Sequence, residues 1–163
     1  MRLVDFACLI NGERNFMAMT GTTDDTLTAV LAARWKATSG KFVGLARAIP
    51  DDRFESELVS GTRSCGDVLR HVAYWNRYIA DSLNGRKADD SANELLRDDY
   101  PDKARILKEL ENTNNEIANG MHRNLDAKAL ELISMAFEHL SEHYGQMVVY
   151  ARLSGIIPPV SRS

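Results

Sequence analysis

Four stretches of this chain carry apolar residues at steps of three and four, the repeat of one helix face, and no stretch carries the alternation of a strand. The first runs from Thr26 through Leu27, Val30, Leu31, Trp35, Thr38, Phe42, Leu45 and Ile49. Pro50 closes it, because a residue before proline avoids the helical region. The second follows a start signal in which Ser64 and Asp67 can each satisfy a free backbone donor. Its stripe is Val68, His71, Val72, Trp75, Tyr78, Ile79 and Leu83, ended by Asn84-Gly85. Residues 85–100 are polar and read as a long connection with a short helical turn at Ala92–Leu96. Pro101 suits a first helical residue, and Ile106, Leu107, Leu110, Asn114, Ile117 and Met121 carry a third stripe that ends near Gly120. Asp126 or Asn124 can cap the fourth, which runs from Leu130 to Leu153 and stops at Gly155 and Pro158-Pro159.

Four amphipathic helices without strands predict an all-α four-helix bundle, and the long second connection leaves room for a crossover. The 163 residues fit one domain, with enough chain to build a core without disulfides or other staples. Residues 1–22 show no clear period and end in the turn-rich Thr20-Gly21-Thr22-Thr23. They read as an N-terminal extension, with Met17 or Met19 as an alternative start, ahead of a bundle domain over 23–163.

Charge and cysteine usage narrow the function classes. A net charge of −3, with neither a basic excess nor an acidic block, argues against nucleic acid as a partner. Cys8 and Cys65 stand far apart in no metal or redox spacing, as expected of a protein kept in a reducing cytoplasm. The apolar run Phe6–Ile10 is too short for a membrane span or a signal-peptide centre, so no membrane partner is expected.

Three of the four histidines fall in apolar stripes. His139 and His143 lie about 40° apart around one helix, so both imidazoles can reach one ion while the helix stays regular. They share an inward row with Ala136, Met147 and Tyr150, and His71 holds the equivalent row of the second helix. Three imidazoles suit Zn²⁺, Ni²⁺, Fe²⁺ or Cu²⁺ better than Ca²⁺ or Mg²⁺, and three protein ligands leave a position open. The plain alternative is that each is a hydrogen-bonded core histidine. Burying several titratable rings is costly unless each finds a partner, and that weighs toward the ion.

The run Arg63-Ser64-Cys65-Gly66-Asp67-Val68-Leu69-Arg70-His71-Val72-Ala73 resembles the second-helix motif of DinB-like proteins, the DinB/YfiT-like metalloenzymes. His139-Leu140-Ser141-Glu142-His143-Tyr144-Gly145-Gln146, with Ala151–Gly155 and the proline pair, resembles their last-helix motif. The resemblance runs from about Asp25 to Pro159. It implies a four-helix bundle with one divalent metal, often zinc or nickel, on His71, His139 and His143. It also implies a homodimer and a small-molecule substrate. Similar proteins with known activity are metal-dependent transferases or isomerases that use low-molecular-weight thiols such as bacillithiol or mycothiol.

The expected function is therefore a metal-dependent transferase acting with a low-molecular-weight thiol on a small electrophile. Two alternatives stay open: a metal-dependent hydrolase with activated water, for which Glu142 or Asp67 would be the base, and a non-catalytic stress-related metal-binding protein. Asp67, Glu138, Glu142 and Gln146 are candidates for holding the outer nitrogens of the rings, with Glu138 and Glu142 read as solvated. Tyr74, Trp75 and Tyr78 are candidates for a pocket mouth or for plain core. Cys65 reads as a small buried filler, His122 as exposed, and Asp89-Asp90 and Asp98-Asp99 as solvated loop.

Overall fold

In a computed structural model, which describes residues 23–123 and 125–162, the chain forms helices α1 (Thr23–Ala48), α2 (Asp51–Phe54), α3 (Cys65–Leu83), α4 (Lys103–Met121) and α5 (Ala127–Leu153). A 3-10 turn, Pro159–Ser161, follows and packs on α1. The extension expected over residues 1–22 lies outside the described residues. Among the described residues there is no strand, and no helix is long and apolar enough to cross a membrane.

The four long helices form the bundle. Both α1 and α3 pack mainly on α4 and α5, so α1 and α3 hold opposite corners. The chain therefore crosses the diagonal between its first two long helices, through α2 and residues 55–64. The crossover expected in the second connection lies instead in the first, since α3 and α4, joined by residues 84–102, are direct neighbours.

Each start signal works by satisfying free backbone donors. Ser64 accepts from the Asp67 N–H at 3.1 Å while the Asp67 carboxylate accepts from the Ser64 N–H, a complete capping box for α3. Asp126 caps α5 through the Ala129 N–H at 2.8 Å. The start of α4 departs from expectation. Asp102, accepting from the Arg105 N–H at 2.8 Å, is the cap, and Pro101 stands outside the helix. The turn expected at Ala92–Leu96 is irregular backbone, and a turn occurs instead at residues 97–99. Leu95 alone of that stretch is buried.

The inward face of α1 also differs from the stripe of large apolar residues. Leu27 and Val30 are 42% and 54% exposed, whereas Thr28, Ala32, Trp35, Ser39, Phe42, Ala46 and Ile49 are buried. Those positions alternate steps of four and three, the heptad repeat of one helix face. Trp35 anchors that face. Its indole N–H donates to the Asn114 carbonyl at 2.9 Å, and its ring meets Phe137 edge-on at 5.5 Å. The Asn76 amide donates to Asn114 Oδ1 at 3.0 Å, which ties α3 to the same point of α4. Around these sit the fully buried Phe42, Leu69, Ile79, Ile106, Leu110, Ile117, Met121 and Leu140, burial that supplies the main stabilisation of the bundle.

A buried ionic cluster joins the crossover to α3. The Arg70 guanidinium, 1% exposed, bonds Glu55, Asp67 at 3.1 Å and the Tyr100 carbonyl at 2.9 Å. Gly66 allows this approach, since a Cβ there would stand 2.7 Å from Glu55 Oε1.

Candidate metal centre

The α3–α5 interface brings His71, His139 and His143 into one half-buried group. Ring centroids are 5.0 Å apart for His71–His139, 4.9 Å for His71–His143 and 4.5 Å for His139–His143. One candidate ligand nitrogen from each ring lies within 4.8 Å of the other two. The three histidines singled out by the spacing of four on α5 and the apolar row on α3 are the ones that come together here.

The second nitrogens show which atoms face the centre. His71 Nδ1 is 2.6 Å from the backbone carbonyl of Asn93, and His143 Nδ1 is 2.9 Å from Gln146 Oε1. A carbonyl only accepts, so both Nδ1 atoms carry hydrogen and both Nε2 atoms present a lone pair when the rings are neutral. The Gln146 amide in turn donates to the Tyr150 hydroxyl at 3.1 Å. His139 Nε2 stands 3.1 Å from His71 Nε2, and His139 Nδ1 is buried without a partner among the described residues.

These distances fit an ion. Nitrogens about 2.0–2.1 Å from zinc stand about 3.3 Å apart in tetrahedral geometry and about 2.9 Å apart at right angles, so the observed 3.1 Å falls between the two. Electrostatics agree with the ligating form. Burial pushes His139 down to about 3, with further lowering from His143 and His71. Burial also lowers His71, an effect that the Asn93 hydrogen bond only partly offsets. Both rings are therefore neutral at pH 7, the state that binds metals.

The surroundings sort the remaining candidates. Gln146 reaches the site, whereas Glu138 and Glu142 are exposed. Asp67 does not hold His71. Its carboxylate bonds the Ser64 hydroxyl at 2.7 Å, Arg70 at 3.1 Å and Arg97 at 2.6 Å. Burial alone would raise its pKa, but the bonds from Ser64 and Arg97 outweigh that and lower it. Trp75 flanks the centre, its ring 6.5 Å from His139 and its N–H donating to Asn93 Oδ1 at 3.0 Å. Tyr74 is buried, its hydroxyl donating to the Asp89 carbonyl at 2.8 Å. Cys65 is fully buried, with its thiol pushed up to about 11 mainly by that burial, so it is the inert filler expected. His122 is exposed. Asn93 is the residue that sequence reasoning missed. It acts through a backbone carbonyl in an irregular segment, and no side-chain pattern marks such a group.

Residues 19–161 match the family model described as the DinB family, and the chain belongs to that family. No curated protein matches the chain.

Proposed function

We propose that this member of the DinB family holds one divalent transition-metal ion, zinc or nickel, on His71, His139 and His143. We further propose that it acts as a transferase using a low-molecular-weight thiol on a small electrophilic substrate. The observation that carries the reading is the 3.1 Å approach of two Nε2 atoms on rings that burial keeps neutral. An ion bound there supplies Lewis acidity, which lowers the pKa of a thiol and makes thiolate available at neutral pH.

The chain's own residues do the rest. Asn93 and Gln146 hold two of the rings by their outer nitrogens, which leaves the inner nitrogens of those rings to the centre. Trp75 flanks one side of the group, its ring 6.5 Å from that of His139. A hydrolase would need a base at the same point. Among the described residues no carboxylate joins the three rings, and Asp67 is committed to Ser64, Arg70 and Arg97. That supports thiol over water as the nucleophile. The same reading takes the protein as a cytoplasmic homodimer.

The test is turnover of a small electrophile by zinc- or nickel-loaded protein against a panel of low-molecular-weight thiols. Turnover that needs both metal and thiol, and disappears in a folded His143→Ala protein, is the expected result. Equal turnover without thiol, or in that variant, contradicts the reading.

A further inference from the structure

We propose that the connection between α3 and α4 is a positioning strap for the three-histidine site, and that Asn93 is the residue through which it selects the ligating form of His71. The proposal deepens the metal-binding reading and rests on it for its purpose. Its structural core can be tested without an ion.

Asn93 lies 22 residues beyond His71 and is itself exposed, yet both its carbonyl oxygens are used. The backbone oxygen accepts from His71 Nδ1 at 2.6 Å, and the side-chain oxygen accepts from Trp75 Nε1 at 3.0 Å. His71 and Trp75 are four apart on α3, so one residue spans one face of that helix. An unconstrained imidazole prefers its hydrogen on Nε2, which would turn an N–H, not a lone pair, toward the centre. The Asn93 carbonyl reverses that preference, because it can be satisfied only by hydrogen on Nδ1.

The strap is fastened on both sides of Asn93. Before it, the Ala92 N–H donates to the Tyr74 hydroxyl at 3.0 Å, and that hydroxyl donates to the Asp89 carbonyl. After it, Leu95 is buried with its N–H on the Arg70 carbonyl at 3.4 Å, and Arg97 reaches Asp67 at 2.6 Å and Glu55 at 2.9 Å. Gln146 holds His143 from three residues away on the same helix, so that ring needs no such device. The site is thus assembled from α3, α5 and a third, non-helical element.

The experiment uses the full chain labelled with ¹⁵N, freed of metal, with two-bond ¹H–¹⁵N spectra that report which ring nitrogen of His71 bears hydrogen. Wild type is expected to show hydrogen on Nδ1 alone. Asn93→Ala, which removes the Trp75 anchor, and Trp75→Phe, which removes its donor, are both expected to show a mixture at His71. Arg47→Ala, which removes an exposed ion pair between α1 and Glu111 of α4, is expected to leave it unchanged. Zinc titrated against a competing chelator should bind Asn93→Ala roughly ten-fold more weakly than wild type, the usual size of an outer-nitrogen effect. Hydrogen on Nε2 in the wild type, or an unchanged tautomer and zinc affinity in Asn93→Ala, overturns the proposal. Failure of wild type to bind zinc with the tautomer pattern as expected would instead overturn the metal reading and leave the strap standing.

Discussion

Nε2 of His71 and Nε2 of His139 face each other at 3.1 Å across the α3–α5 interface. With hydrogen fixed on His71 Nδ1, an ion-free pair is held by one N–H of His139, and His139 Nδ1 is left buried and unpaired among the described residues. An orphaned buried acceptor of this kind costs about 1–3 kcal/mol. The two facing Nε2 atoms are spaced as two ligands of one ion would be, the geometry on which the proposed metal site rests.

Binding to the folded state alone should make stability respond to metal. At free zinc roughly one hundred times Kd, wild type should gain about 2.7 kcal/mol, read as a rise in Tm that chelation reverses. His71→Ala should show no such response while unfolding cooperatively. A metal-independent Tm in wild type would contradict this.

Fold and site should be separable. Leu110 is fully buried on α4, so Leu110→Ala is expected to cost about 2–5 kcal/mol in urea unfolding. The same variant should bind zinc with the wild-type stoichiometry, because α4 contributes no ring to the site. Loss of zinc binding in a folded Leu110→Ala protein would show that the site depends on the whole core.

Most of this was legible in the sequence for a physical reason. A helix face repeats every three or four residues, so the stripes, the Ser64 and Asp126 caps and the inward rows of His71, His139 and His143 could all be read in one dimension. On α1 the expected Trp35, Phe42, Leu45 and Ile49 are buried, but near its start the inward row takes Thr28, Ala32 and Ser39 rather than Leu27 and Val30, and small or polar residues carry no apolar signal to mark it. Asn93 and the Arg70 cluster were hidden for another reason. Both depend on how a connection folds back in space, and an irregular segment has no period to announce it.

Acid should act on the Arg97–Asp67 clamp with a definite sign. The Asp67 carboxyl is held below its usual 3.8, because the bonds from Ser64 and Arg97 outweigh the burial that would raise it. The unfolded chain thus binds more protons near that value, so the contribution is whole above it and falls away as pH drops through the lower folded value. Unfolding followed below pH 4 should show this loss, smaller in Arg97→Ala than in wild type. Equal acid sensitivity in the two proteins would count against the clamp.

Cys65 should resist alkylation in the native protein. Its thiol is fully buried and raised to about 11, so little thiolate exists at pH 8. Peptide mapping after iodoacetamide should find Cys65 unmodified until denaturant is added. Rapid native labelling would mean that the start of α3 opens readily.

The most direct measurement is the metal content of the purified protein after saturation with zinc or nickel and removal of the excess. One ion per chain in wild type, and none in a folded variant with His71, His139 and His143 all changed to alanine, is the expected result. Retention of no ion by wild type, or of the same amount by the triple variant, would contradict a metal centre at these three rings.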